Sequence, residues 1–130
     1  MEITVDTSAI ISVIGNERAK ARIIKSTVGA NLVAPISVHW EIGNAFSAMF
    51  KRQAISLALA EEALEVYKSI PIKFIEVPLN RTLFLTKQFN IYAYDAYLIQ
   101  CAEQTSSPLL TLDKGLITVA KNMGIQLLEV

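Results

Sequence analysis

The 130-residue sequence has one cysteine, one histidine and one tryptophan. Cys101 alone excludes an internal disulfide framework and fits a reducing compartment; its place among Ile99 and Ala102 reads as a core position. His39 alone excludes acid–base catalysis by paired histidines. The five glycines fall singly, so there is no glycine-rich phosphate loop and no support for a nucleoside triphosphate or dinucleotide cofactor. No apolar run approaches the roughly 20 residues of a membrane span, and the N-terminus lacks the basic-then-apolar layout of a signal peptide. The expectation is a cytoplasmic protein with no membrane association. An excess of charge of either sign is also missing. Twelve basic residues balance twelve acidic ones, which on its face argues against a nucleic-acid partner.

Charged residues make up only 18% of the chain, against about 25% in typical globular domains. Hydrophobic residues reach 52%, a surplus that suggests apolar surface reserved for a partner or a second copy. The length predicts a single domain over residues 1–130, able to bury a core without disulfides or structural metal.

Aspartate is scarce too. Asp6, Asp95 and Asp113 are the only three, and each adjoins an apolar stretch: Ile3-Thr-Val-Asp6, Tyr94-Asp95-Ala-Tyr-Leu-Ile99 and Leu110-Thr-Leu-Asp113. Glu41, in Val38-His-Trp-Glu41-Ile-Gly-Asn44, has the same kind of neighbourhood. Buried charges are costly unless paired or bound to a metal.

Apolar periodicity and punctuation predict alternating strands and helices. Strands are expected at Ile3–Val5, Leu32–Ala34, Lys73–Val77, Pro108–Leu112 and Ile125–Val130. Helices are expected at Ala9–Ile14, Glu17–Thr27, Ser37–Arg52, Ser56–Ser69, Leu79–Phe89, Ala96–Thr105 and Leu116–Met123. Arg18, Arg22 and Lys25 would share one face of the second helix. Ile42, Phe46, Met49 and Phe50 form an apolar stripe on the third, while Leu59, Ala63, Val66 and Ile70 point inward from the fourth. Strands such as Leu109-Leu110 and Leu127-Leu128, apolar on both faces, call for a parallel sheet covered by helices on both sides.

In such a sheet Asp6 and Asp113, each following a strand, lie at the carboxyl edge where open α/β sheets place ligands. Asp95 at a helix start feels the positive end of the helix dipole. Glu41 lies about two turns beyond its strand at roughly 1.5 Å per residue, so all four acids can reach one cleft. Each aspartate also has a structural explanation: Asp6 and Asp95 as helix N-caps, Asp113 as a turn residue. Glu41 has none, since no lysine or arginine stands at positions 37, 38, 44 or 45 to pair with it. Asn44, three residues on, shares its face and is a hydrogen-bond candidate. Oxygen ligands without a histidine or cysteine cluster point to Mg²⁺ or Mn²⁺ rather than zinc. With those four acids neutralised, 12 basic residues stand against 8 acidic ones.

Four segments, in order, resemble the PIN-domain nucleases and in particular the VapC-type toxins of toxin–antitoxin pairs. They are Val5-Asp6-Thr-Ser-Ala-Ile10, Glu41-Ile-Gly-Asn44, Tyr94-Asp95-Ala-Tyr-Leu98 and Leu110-Thr-Leu-Asp113-Lys-Gly-Leu116, with Ala120 to Leu127 similar to the family's closing helix and strand. The resemblance implies a PIN-like three-layer α/β/α fold with a central parallel sheet of about four to five strands. It implies Asp6, Glu41, Asp95 and Asp113 as catalytic metal ligands, direct or through water, with Ser8, Asn44 and Thr111 in support. It further implies a metal-dependent endoribonuclease leaving 5′-phosphate and 3′-hydroxyl ends, an RNA substrate, a cognate antitoxin and a homodimer. Lys114 is a candidate phosphate contact. Met49, Phe50, Leu57 and Leu64, with the rest of the stripe, are candidates for the dimer surface. His39 reads as a helix-surface or partner-facing residue, and Tyr92, Tyr94 and Tyr97 as packing residues. The alternatives are a PIN-domain ribonuclease in RNA processing outside a toxin–antitoxin system, a non-catalytic interaction module, and an aspartyl-phosphate type phosphatase. The last would want an aspartate at position 8, which is serine.

Overall fold

Four short apolar strands set the frame of the computed structural model, which describes residues 1–130. They are β1 (Glu2–Val5), β2 (Asn31–Pro35), β3 (Ile72–Ile75) and β4 (Leu109–Leu110), all parallel, in the order β3-β2-β1-β4. Seven helices connect and follow them: α1 (Thr7–Ile14), α2 (Lys20–Thr27), α3 (Ser37–Lys51), α4 (Leu57–Ser69), α5 (Leu79–Phe89), α6 (Ala93–Thr105) and α7 (Lys114–Asn122).

The central strand β1 is buried on both faces, as a strand of a two-sided parallel sheet must be. Val5, with Leu32 and Leu110, faces a small apolar cavity of about 140 Å³ beneath α1 and α2. Thr4 faces the other layer. Its hydroxyl lies 2.6 Å from Ser107 Oγ and also reaches Cys101 Sγ of α6, so a polar group at the centre of the sheet is left with partners. Helix α6 packs on β1 and β2, with α5 against it, while α1 packs against α2, α3 and α4 on the opposite side. The three-layer α/β/α architecture expected from the resemblance is thus present, with four strands.

The fifth expected strand, Ile125–Val130, is reduced to a single bridge between Leu127 and Leu109. The cause is β4, which has only two residues to pair before Thr111 turns toward the carboxyl edge. The basic helix begins at Lys20 and not at Glu17, because Asn16 adopts a left-handed conformation that turns the chain after α1. Arg18 therefore lies outside it, and the three-residue basic face does not form. Helix α4 is rotated relative to the expected face: Ala60, Ala63 and Tyr67 are buried, whereas Leu59 and Val66 are exposed. Small alanines let α4 approach α1 closely, a preference that hydrophobicity alone does not encode. Of the stripe on α3, Ile42 and Phe46 belong to the core, Met49 is half-buried and only Phe50 is exposed. Leu64 also packs against the core, so only Phe50 and Leu57 of that set remain for a partner.

Leu109, fully buried between β1 and the Leu127 bridge, should be far more sensitive to truncation than Leu59, which is 56% exposed. Leu109→Ala is expected to cost about 2–5 kcal/mol, and Leu59→Ala less than about 0.5 kcal/mol. Urea unfolding of both variants measures the difference, and equal losses would contradict this placement of α4.

Candidate metal centre at the carboxyl edge of the sheet

Asp6 follows β1 directly and is 4% exposed. Its backbone N–H still donates to Leu110 O, so the residue sits at the last rung between β1 and β4. Both of its carboxylate oxygens accept hydrogen bonds. Oδ1 accepts from Ser8 Oγ at 2.7 Å and from Ala9 N at 3.1 Å, capping α1, and Oδ2 accepts from Thr111 Oγ1. Ser8 Oγ also accepts from Leu112 N at 2.9 Å, and Thr111 Oγ1 from Asp113 N at 3.0 Å. Ser8 and Thr111 thereby tie the start of α1 to the loop after β4 and fix Asp6 in one orientation.

Asp113 caps α7, with Oδ1 accepting from Gly115 N and Leu116 N. Asp95 is not a cap. Helix α6 begins two residues earlier, at Ala93, and the cap position is Tyr92, so Asp95 stands in the first turn with its carboxylate free of backbone duties. It still feels the positive end of the helix. Glu41 is the fifth residue of α3, and its buried Oε2 has no hydrogen-bond partner. Thr7 is near enough to favour the ionised form, yet its own buried Oγ1 completes no hydrogen bond either. Thr7 is a residue that sequence reasoning passed over; its one signal is its position between Asp6 and Ser8.

The four acids feel one another. Burial raises the pKa of Asp6 despite the bonds from Thr111, Ser8 and Ala9, and Asp113 pushes it further up. Burial, then Asp6, then Asp95 push the Glu41 carboxyl up to about 7. Burial and Asp113 raise Asp95. Asp6 thus acts on Glu41, Asp95 on Glu41, and Asp113 on both aspartates, which closes a ring of like charges. No arginine or lysine relieves it, since the two ion pairs of the molecule, Lys68–Glu65 and Arg81–Glu103, involve none of these acids.

Mutual repulsion, partial burial and an orphaned carboxylate oxygen are what a hard divalent cation would resolve, and the all-oxygen donor set suits one. No three of the acids converge closely enough to cage an ion by themselves. A Mg²⁺ ion, which keeps several waters and takes only one or two carboxylates directly, would need no such cage.

The remaining sequence candidates fall elsewhere. Asn44 is exposed and its side chain makes no hydrogen bond, so the expected bond to Glu41 is absent. Lys114, next to Asp113, is exposed at the start of α7. His39 is not a free surface residue. Its Nδ1 lies 2.8 Å from Tyr67 Oη and its ring packs against Phe74, joining α3 to α4 and β3. Tyr92 is exposed and unpacked, whereas the exposed Tyr94 stands edge-on to the half-buried Tyr97. Cys101 is fully buried, its thiol pKa pushed up to about 11 by burial, as a core residue's would be. A cavity of about 520 Å³ opens at the other edge of the sheet, around Glu2, Asn31, Pro71 and Lys73, but none of the four acids lines it.

A PIN domain model matches residues 3–122 of the sequence. The chain belongs to the PIN domain family. Solved PIN-like structures share its fold at low sequence identity. PAE2754 from Pyrobaculum aerophilum is 22% identical with a TM-score of 0.71, the match covering 92% of this chain and 79% of that one. VapBC2 from Rickettsia felis, solved bound to a DNA fragment from its promoter, is 14% identical with a TM-score of 0.67, covering 99% and 98%. VapC20 from Mycobacterium tuberculosis, a toxin that cleaves the sarcin–ricin loop, is 12% identical with a TM-score of 0.66, covering 98% and 99%. The sequence has no match among curated proteins.

The raised carboxyl pKa values make stability depend on pH in a definite direction. Folded protein holds the Glu41 proton more tightly than the unfolded chain does. Its contribution is therefore full below about pH 4.5 and lost as pH rises to about 7. In EDTA, wild type should lose on the order of 1–2 kcal/mol relative to Glu41→Gln across that window, allowing for solvent screening. Thermal melts of both proteins from about pH 4.5 to about pH 8 measure it. Parallel profiles would contradict the ring of acids.

Proposed function

We propose that this PIN domain is a metal-dependent endoribonuclease and the toxin of a toxin–antitoxin pair. The observation that carries the reading is the closed ring Asp6, Glu41, Asp95 and Asp113, with an unpartnered Glu41 oxygen in it. These four residues would hold Mg²⁺ or Mn²⁺. When bound, such an ion lowers the pKa of a water and neutralises a phosphodiester during in-line displacement.

The chain's own residues do the rest. Asp6 is locked by Ser8, Thr111 and the start of α1, so it offers an orientation fixed in advance. Glu41, whose Oε2 has no hydrogen-bond partner, would offer that oxygen to the ion. Asp95 and Asp113 complete the negative field, which repels bare phosphate and makes substrate binding depend on the cation. Lys114 beside Asp113 supplies a positive group at the rim for a phosphate of the RNA. The balance of 12 basic residues over 8 remaining acids supports RNA once the ring is neutralised.

The toxin role rests on the four ordered sequence segments and on the fold shared with VapC20 and VapBC2, and also with FitAcB from Neisseria gonorrhoeae. On this reading the partner is an antitoxin protein, and exposed apolar residues such as Leu57 and Leu83 suit it or a second copy. A cytoplasmic site fits the single buried thiol and an RNA substrate. No helix is long and apolar enough to cross a membrane.

Two results are expected. Purified protein should cleave single-stranded RNA with Mg²⁺ or Mn²⁺ and stop in EDTA, leaving 5′-phosphate ends, and Asp6→Asn should abolish both cleavage and growth inhibition. Full-rate cleavage by metal-stripped protein would sink the proposal. Thr111→Val should lower metal affinity or activity about 10- to 100-fold, since it orients Asp6 without reaching substrate. Metal titration of that variant checks it.

A further inference from the structure

Beside the acids, at the carboxyl ends of β2 and β3, lies a cleft of about 310 Å³ that the proposed chemistry does not use. Pro35, Ser37, Trp40, Val77, Leu79 and Tyr97 line it. Its Ser37 wall stands four residues before Glu41 on the same face of α3, which sets the cleft beside that acid.

We propose that this cleft is a nucleobase subsite, which stacks one unpaired base of the RNA next to the phosphate held at the acids. The proposal rests on the nuclease reading above and names where that substrate's sequence is felt. Four features support a base as the occupant. The volume lies at the small end of ligand pockets and is enough for a planar ring system. Its walls include the indole of Trp40, 71% exposed with no partner for its N–H, and the Tyr97 ring, held edge-on by Tyr94 at 5.9 Å. Exposed aromatics are stacking platforms for bases in single-stranded RNA. Ser37 Oγ is buried without a hydrogen-bond partner, so a polar edge entering the cleft finds a group that waits for one. Finally, Glu76 lines the same cleft and takes no part in an ion pair. Its charge disfavours a phosphate inside the cleft and is compatible with an uncharged base.

The chain contains one tryptophan, Trp40, so its emission reports on the cleft and its immediate surroundings, and the abasic hexamer separates the base from the phosphates. The test titrates full-length protein, with Ca²⁺ in place of Mg²⁺, against a randomised single-stranded hexaribonucleotide pool and against an abasic ribose–phosphate hexamer. The pool should quench Trp40 saturably and the abasic hexamer should not. Trp40→Ala and Tyr97→Ala, checked for native circular dichroism, should each bind the labelled pool about tenfold more weakly. In Mg²⁺, Trp40→Ala should raise KM more than it lowers kcat.

Equal quenching by both hexamers, or unchanged binding by Trp40→Ala, overturns the proposal. So does an antitoxin-derived peptide that quenches Trp40 where the RNA pool does not, which assigns the cleft to a protein partner. RNA cleavage by wild type with Trp40 unperturbed removes the subsite and leaves the nuclease reading intact. Protein that neither binds nor cleaves RNA removes both.

Discussion

The parallel pairing of β1 with β4 is the constraint on which the site depends. It brings the end of a strand near the N-terminus beside the end of one more than a hundred residues later. The Asp6 N–H bonds Leu110 O, and the Thr111 hydroxyl meets the Asp6 carboxylate one step further on. Without that register Ser8 and Thr111 would have no common partner, and Asp6 would be an ordinary cap. The same register shortens β4, because the chain must turn at Thr111 to serve Asp6, and it leaves the closing strand with only Leu127 as a rung. Site geometry and an incomplete sheet edge therefore have one cause.

The electrostatics follow from how the helices leave that edge. Each acid is placed by a different element: Asp6 and Asp113 by helix caps, Asp95 by the first turn of α6, Glu41 by the second turn of α3. Two of them receive backbone hydrogen bonds that help them carry charge. Glu41 receives none through Oε2 and is pushed up to about 7. Similar groups thus sit in different environments, two carboxylates held by backbone N–H groups and one with an orphaned oxygen.

Much of this was legible before the fold was known, for identifiable reasons. Strands β1 and β2, buried on both faces, read directly as apolar runs. Glu41 stood out because no cation could reach it along its helix, and the structure finds an orphaned oxygen there. Asp6 and Asp113 after strands sufficed to place both at one edge. Other features needed tertiary information. Sequence alone puts Asp95 at the start of a helix, but Ala93 and Tyr94 extend it, since nothing local forbids it. Hydrophobicity points Leu59 and Val66 inward, but α1 accepts the smaller Ala60 and Ala63. Asn44 shares a face with Glu41 by spacing, yet that face turns to solvent at its position. Such errors concern which side of an element meets its neighbour, and that is decided by packing.

The double duty of Asp113 has one more consequence. It accepts from Gly115 N and Leu116 N as a helix cap while contributing charge to the ring. Asparagine caps a helix about as well as aspartate does. A change to asparagine there removes charge without removing the fold. Negative charge at the ring and order at the start of α7 are therefore separable properties of a single side chain.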